Sequence, residues 1–209
     1  MIKQDSIRIL SVDDHPLFRE GIAAIINNQS DMRLVAEAAS GGEALQRFRE
    51  HQPDVTLMDL RLPDMSGIEA LTVIRTEFPA ARIIMLTTFA GDVDIRHSLE
   101  AGARGYMLKT MPPKELVEVI RQVHAGKKRI PGEVAAHLVE YVGDDGLTER
   151  EVSVLRYIAG GNRNRDIAER QFITEDTVKV HIKHIKDKLG ASDRTQAVAI
   201  AVRRGIIHI

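Results

Sequence analysis

Short apolar runs alternate with amphipathic segments along the first 125 residues of the chain. The runs are rich in β-branched side chains and predict strands, whereas the segments between them carry apolar residues at helical spacing. The predicted strands are Ile7–Val12, Arg33–Ala36, Val55–Met58, Arg82–Leu86 and Gly105–Leu108. The predicted helices are Leu17–Asn27, Gly42–His51, Gly67–Phe78, Val93–Ala101 and Pro113–Ala125. This alternation is typical of a doubly wound α/β fold, in which helices cover both faces of a parallel sheet.

From residue 147 onward the pattern predicts helices alone. Thr148 and Glu151 form a capping box, and the helix after it, Glu149–Ala159, is expected to bury Val152, Leu155, Ile158 and Ala159. Further helices are predicted at Asn164–Gln171, from the cap Thr174 to Leu189, and at Arg194–Arg204. In the third of these four helices an apolar stripe lies beside a cationic face made of Lys179, Lys183 and Lys186. One buried and one cationic face suit a helix that enters the major groove of DNA, although a solvated lysine face would look the same in isolation.

Residues 126–146 contain Pro131, Gly132 and the turn-forming run Gly143-Asp144-Asp145-Gly146, and therefore read as a connector. A short helix is predicted inside it at Val134–Val142. We therefore expect an α/β domain at residues 1–125, a linker at 126–146 and an all-α domain at 147–209.

Composition narrows the function classes. The sequence contains no cysteine, which excludes disulfides and thiolate metal sites. No apolar run approaches the roughly 20 residues of a membrane span, and we expect a cytoplasmic protein. Residues 1–125 carry 14 basic and 18 acidic side chains, whereas residues 147–209 carry 12 basic and 8 acidic ones. A basic C-terminal part fits a nucleic-acid binder, but a chance fluctuation in charge could produce the same asymmetry.

Polar side chains stand at the ends of four predicted strands: Asp13 and Asp14, Asp59, Thr87, and Lys109. Because parallel strands end at one edge of their sheet, these groups are expected to converge. Crowded carboxylates repel one another, and a hard cation such as Mg²⁺ relieves that repulsion. Asp59 could then act as a nucleophile that forms an acyl phosphate, with Lys109 and Thr87 on phosphoryl oxygens. A single aspartate of this kind would more often be a turn residue, so the joint placement carries the argument.

With these residues in place, residues 7–125 resemble the receiver domain of response regulators. The resemblance implies a (βα)5 flavodoxin-like sheet of strand order 2-1-3-4-5. It also implies that Asp59 accepts phosphate from a histidine kinase, and that Asp14, Asp59 and the backbone carbonyl of Arg61 bind Mg²⁺ with help from Asp13 through water. Tyr106 matches the aromatic switch of the family, whose ring turns inward as Thr87 moves toward the phosphoryl group.

The sequence departs from the receiver pattern at two places. Lys109 is followed by Thr110 where many receivers have proline, and the isomer of that peptide bond is left open. Arg61 and Phe89, each two residues past a site residue, are bulky and poorly suited to positioning water. This predicts slow self-dephosphorylation.

Residues 147–206 resemble the LuxR-type helix-turn-helix at Leu147-Thr148, Arg150-Glu151, Ile167-Ala168 and Thr177–His181. The whole chain thus resembles the NarL/FixJ family of response regulators. By that resemblance Lys179, Val180 and Lys183 reach base edges, and Asn164, Arg165, Thr177 and Lys186 are candidates for phosphate contacts. The last helix, with Ala197, Val198 and Ala201 expected to be exposed, would pair two copies on two half-sites of double-stranded DNA once the receiver is phosphorylated.

Two details of the C-terminal part stay open. Phe172 stands where the family usually has a small turn residue, and since it does not adopt positive φ cheaply, the turn is expected to be reshaped. His181 and His184, spaced i, i+3, could bind a metal only with a third ligand.

Two other functions also fit parts of the pattern. An aspartyl-phosphate hydrolase uses the same groups, but it needs a second aspartate where this chain has Arg61. A constitutive DNA-binding protein would use the α/β domain only as a dimerisation scaffold.

Overall fold

The computed structural model describes residues 6–88, 91–130, 132 and 146–207, and its contacts divide the chain into two compact units. The first unit is built on a five-stranded parallel sheet of order β2-β1-β3-β4-β5. Its strands are β1 Ile7–Val12, β2 Met32–Ala38, β3 Val55–Asp59, β4 Ile83–Thr87 and β5 Gly105–Leu108. The predicted doubly wound fold and strand order are confirmed.

Five helices alternate with these strands. They are α1 Pro16–Asn27, α2 Gly41–His51, α3 Gly67–Glu77, α4 Asp92–Glu100 and α5 Pro113–His124. Local chemistry sets where several of them begin: Pro16 and Pro113 occupy the first turns of α1 and α5, where a missing N–H costs nothing. Ser66 and Glu69 form a capping box that starts α3. The predicted boundaries of these helices differ from the observed ones by at most one residue.

The register of the central strands determines where the polar strand ends lie. All residues of β3 and β4 are buried, as expected for strands covered on both faces. Val12 pairs with Met58, Asp59 pairs with Leu86, and Thr87 pairs with Leu108. The residues that follow or end β1, β3, β4 and β5 therefore lie side by side at one edge of the sheet.

The chain returns to the edge strand β5 after α5 ends. Arg129 forms a parallel bridge with Gly105, donates its N–H to the carbonyl of Arg104 and accepts from the N–H of Tyr106 at 3.2 Å. These bonds satisfy backbone groups that an edge strand would otherwise expose. The first residues beyond α5 are thereby fixed to the strand that carries Tyr106.

Within residues 146–207, the second unit forms the helices α6 Glu149–Ala159, α7 Asn164–Gln171, α8 Glu175–Leu189 and α9 Arg194–Arg203. Their apolar faces form one core that includes Leu155, Ile167, Val178 and Ile185. The expected inward positions of α6 are confirmed: Leu155 and Ile158 are buried, and Val152 and Ala159 are half-buried against the same core. The pattern missed Val154, which is fully buried. The predicted helix Val134–Val142 lies outside the described residues.

Candidate functional site

Two carboxylates and an ammonium group meet at the carboxyl edge of the sheet. Lys109 Nζ lies 2.7 Å from Asp13 Oδ2 and 2.8 Å from Asp59 Oδ2. The side chains of Asp13 and Asp59 are only 1% and 5% exposed, so the three charges form a buried triad. Buried charges of this kind are stable only when they are paired, which explains why the two carboxylates converge on Lys109.

The neighbouring residues Asp14 and His15 lie at the rim of this triad. Asp14 is exposed, and His15 Nδ1 lies 2.7 Å from Asp14 Oδ1 and 3.2 Å from Asp13 Oδ1. One potential ligand atom from each of Asp13, Asp14, His15 and Asp59 lies within 4.8 Å of the others. Carboxylate oxygens are the donors that Mg²⁺ prefers, so the predicted acidic cluster is present and its chemistry fits that cation.

Burial and pairing act in opposite directions on the pKa of Asp59. Burial raises the pKa and is the largest influence, the Lys109 ammonium lowers it, and Asp13 raises it again, leaving the pKa of Asp59 above its ordinary value. For Lys109, burial lowers the pKa, but hydrogen bonds to Asp13 and Asp59 outweigh burial, and its pKa is raised. A carboxylate that is more basic than usual is also a stronger nucleophile once it is ionised.

Thr87 and Tyr106 lie where the sequence predicts them. Thr87 ends β4 and is buried, and its carbonyl accepts a hydrogen bond from the N–H of Lys109. Tyr106 is the second residue of β5 and is fully buried, so the ring expected to turn inward is already inward in this structure. The peptide bond between Lys109 and Thr110 is trans.

The loop between β3 and α3, which carries Arg61, is held at both ends. Arg61 and Ser66 form an antiparallel bridge, and the Arg61 N–H lies 3.4 Å from Asp59 Oδ1. Asp64 accepts hydrogen bonds from the N–H groups of Gly41 and Gly42, at 2.7 and 2.8 Å, at the start of α2. These bonds hold the pKa of Asp64 below its usual value. The loop that would present the Arg61 carbonyl to a cation is therefore anchored to a second helix.

Phe18 is a further residue of the site, and the sequence pattern did not reveal it. Lys109 Nζ lies 4.8 Å from the centroid of the Phe18 ring, which is within the range of a cation–π interaction. Phe18 belongs to α1 and is far from Lys109 in the sequence. Its apolar position in the helix pattern therefore indicated only packing.

Helix α8 presents a second candidate site, on the second unit. Val178 and Ile185 are buried, whereas Lys179 and Lys183 are exposed and Val180 is 50% exposed. On this exposed side of the helix the lysines can contact the polar edges of bases, and the valine can contact the apolar methyl group of thymine.

The remaining DNA-binding candidates lie around this face. Arg165 is exposed and pairs with Glu169, Lys179 pairs with Asp176, and Thr177 bonds to the cap Thr174. Asn164 and Lys186 are half-buried, and Lys186 Nζ lies 3.4 Å from the carbonyl of Ser192. Within the described ranges, no third ligand joins His181 and His184 in a metal-binding group.

Two predictions about the second unit are wrong. Phe172 does adopt the left-handed conformation, with φ of 54° and ψ of 45°, and it ends α7 with its side chain 94% exposed. The turn is therefore not reshaped around it. Ala197 and Ala201, expected on the exposed face of the last helix, are buried in the core of the unit, and Val198 is half-buried. A helix this short must bury one face to be held in place, and the small residues form that face.

None of the helices in the described part of the chain combines the length and apolar character needed to cross a membrane.

Two family models match this chain. The response regulator receiver domain matches residues 9–121, and the luxR family of bacterial regulatory proteins matches residues 145–201.

Similar proteins match over nearly their whole length. The response regulator protein VraR of Staphylococcus aureus (strain NCTC 8325 / PS 47) is 39% identical and covers 97% of this chain and 100% of its own. The uncharacterized transcriptional regulatory protein YxjL of Bacillus subtilis (strain 168) is 39% identical, with 99% and 100% covered. The crystal structure of the response regulator ChrA of a heme-sensing two-component system is 33% identical, with a TM-score of 0.59 over 97% of this chain and 99% of that one.

Proposed function

Since this chain belongs to the response regulators that carry a luxR-type DNA-binding domain, we propose that phosphoryl transfer to Asp59 controls its binding to DNA. The family resemblance read from the sequence is confirmed. A response regulator with a DNA-binding domain receives its phosphoryl group from a histidine kinase and regulates transcription, and it is not a classical enzyme. The observation that supports Asp59 as the acceptor is its burial against Lys109 at the carboxyl edge of the sheet.

The chemistry follows from the triad. A carboxylate oxygen of Asp59 attacks the phosphorus of a kinase phosphohistidine, the P–N bond breaks, and an acyl phosphate forms on Asp59. After the transfer, the carboxyl group of Asp59 no longer carries the negative charge that pairs with Lys109. The ammonium is therefore available to a phosphoryl oxygen. Asp14, Asp59 and the carbonyl of Arg61 would hold Mg²⁺, with Asp13 contributing through water. When bound, Mg²⁺ offsets the charge of the phosphoryl oxygens.

The response would pass along β4 and β5. Thr87 ends β4 and would donate its hydroxyl to another phosphoryl oxygen, while Tyr106 responds to the space that Thr87 leaves. Because the N–H of Tyr106 bonds to the carbonyl of Arg129, a shift of β5 also moves the start of the linker. We therefore assign residues 1–125 as the receiver, 126–146 as the linker and 147–209 as the DNA-binding domain.

Helix α8 would lie in the major groove of double-stranded DNA, with Lys179, Val180 and Lys183 toward base edges. Asn164, Arg165, Thr177 and Lys186 would contact phosphates. The surface ion pairs of Arg165 with Glu169 and of Lys179 with Asp176 are worth little in water and would be exchanged for contacts with DNA.

Phosphorylation would also favour a homodimer on two half-sites. Because Ala197 and Ala201 are buried, the pairing surface of α9 must use its exposed residues, which include Gln196, Ala199 and Arg203.

The test is phosphorylation of the full chain with acetyl phosphate and MgCl₂. Mass spectrometry should detect one acyl phosphate, on Asp59, and DNA binding to a site selected from random sequences should tighten in the same sample. The Asp59→Asn variant should show neither effect. Phosphate on another residue, or DNA binding that does not respond to it, would contradict the proposal and favour a constitutive DNA-binding protein.

The lifetime of the acyl phosphate tests a finer point. Arg61 is exposed two residues after Asp59, and its bulk disfavours a positioned water, so self-dephosphorylation should be slow. Phe89, the other bulky residue from which slow self-dephosphorylation is predicted, lies outside the described residues. A half-life of seconds for the acyl phosphate in MgCl₂ would contradict slow self-dephosphorylation.

A further inference from the structure

The imidazole of His15 is directed at the two carboxylates that precede it. Nδ1 lies 2.7 Å from Asp14 Oδ1 and 3.2 Å from Asp13 Oδ1. His15 is the N-cap residue of α1, yet its ring makes no capping hydrogen bond to the helix. The ring is 70% exposed, so an ion from solvent can reach it.

These distances suit ligands of a single metal ion. Two adjacent ligands of an octahedral ion, each about 2.1 Å from the metal, lie about 3.0 Å apart. The separation from Nδ1 to Asp14 Oδ1, 2.7 Å, lies close to that value, so an ion bound by Asp14 could also bind the ring with little movement of the side chain. The backbone of His15 is also fixed, because its N–H donates to Asp13 Oδ1 at 2.9 Å and because Pro16 restricts the conformation of the residue before it.

A nitrogen donor changes which ions such a pocket prefers. Carboxylates and carbonyls suit Mg²⁺, whereas imidazole suits first-row transition metals such as Fe²⁺, Co²⁺ and Zn²⁺. We propose that His15 is an additional ligand of the cation site and that the site therefore binds a first-row transition-metal cation more tightly than Mg²⁺. This inference rests on the proposed function, because it uses the same cation site of Asp13, Asp14 and Asp59.

Competition between Co²⁺ and Mg²⁺ on the full chain tests the proposal. Calorimetry gives the Co²⁺ affinity with and without MgCl₂, so that only Co²⁺ displaced by Mg²⁺ is assigned to this site. Proton NMR of the Co²⁺ form detects the hyperfine-shifted N–H of a coordinated imidazole. The variants are His15→Gln and, as a matched control, His51→Gln. His51 ends α2, and its carbonyl accepts from Arg8 near the start of β1, at the opposite edge of the sheet.

We expect His15→Gln to reduce the ratio of Co²⁺ to Mg²⁺ affinity about tenfold or more and to remove the shifted N–H resonance, while His51→Gln matches the unmodified chain. An unchanged ratio, with no shifted resonance in the unmodified chain, would overturn the proposal and leave His15 as a hydrogen-bond donor to its neighbours. If Mg²⁺ displaces no Co²⁺ at all, the cation site of the proposed function fails as well, so the two failures are distinguishable.

Discussion

Replacing Lys109 with methionine tests the charge balance on which the candidate site depends. The substitution keeps most of the hydrocarbon stem and removes the ammonium that lies within 2.8 Å of both Asp13 and Asp59. Removing one partner from a buried ion pair costs about 3–5 kcal/mol, because the remaining charge stays buried without a partner. Asp14 and the open rim admit water, so we expect a loss near the lower limit, about 3 kcal/mol, in the free energy of unfolding of the first unit.

The loss should depend on pH in a defined direction. In the unmodified chain burial already raises the pKa of Asp59, and Lys109 opposes that rise. Without Lys109 the folded-state pKa rises further, so the folded state binds more protons than the unfolded state between that pKa and 3.8. The stability of the variant should therefore increase as the pH falls through this window.

A divalent cation should restore part of the stability that the Lys109 ammonium supplied. Mg²⁺ at ten times its dissociation constant adds about 1.4 kcal/mol to a state that alone binds it. Hydrogen exchange of peptides from β3 and β4 in the full chain measures the first unit separately from the second. Lys114→Met, an exposed lysine on α5, is the matched control and should change neither stability nor its response to Mg²⁺. A Lys109→Met variant as stable as the unmodified chain, indifferent to pH and Mg²⁺, would refute the proposed charge balance.

Three further substitutions test other parts of the two units. Phe172→Asn should stabilise the second unit by about 1 kcal/mol, measured by hydrogen exchange of α8, because asparagine tolerates the left-handed conformation. Since the ring is exposed, its removal costs no packing energy. A loss of stability would show that the ring is packed. Phe18→Leu keeps an apolar side chain but removes the cation–π interaction with Lys109. The pKa of Lys109 should therefore fall, as measured by NMR of its side chain. An unchanged pKa would exclude that interaction. Asp64→Asn should weaken Mg²⁺ binding, measured by calorimetry, because the loop that carries Arg61 loses its charged hydrogen bonds to the start of α2. An unchanged Mg²⁺ affinity would show that these bonds do not position the carbonyl of Arg61.

The sequence was sufficient for the fold and for the main residues of the site because both depend on local patterns. Strand and helix periodicity placed each predicted strand within a few residues of its observed position, and a parallel sheet brings strand ends together whatever the loops do. Asp59 and Lys109 were therefore predicted to meet, and they do. The contact of Lys109 with Phe18 was not predictable in this way, because an aromatic residue on a helix face has the same pattern whether it packs in a core or beside an ammonium.

The second unit shows how tertiary packing overrides local preference. Small residues on a terminal helix suggest a surface where two copies meet, but in α9 Ala197 and Ala201 let the helix approach its own core closely. Phe172 shows the opposite effect. Its backbone adopts a strained conformation because the end of α7 and the start of α8 fix the turn, and the local preference of phenylalanine is too weak to change it.

Asp13 and Asp14 are adjacent in sequence and chemically identical, yet they occupy different environments. Asp13 continues β1 into the buried layer and pairs with Lys109, whereas Asp14 turns to the rim beside His15. A cation that arrives from solvent therefore meets Asp14 first, while Asp13 is already neutralised. If the ammonium moves to a phosphoryl oxygen, Asp13 loses its partner, and the charge that then needs compensation lies buried at the end of β1. Phosphorylation would in this way make cation binding and the position of Lys109 depend on each other, and Lys109 directly follows the strand that is bonded to the start of the linker.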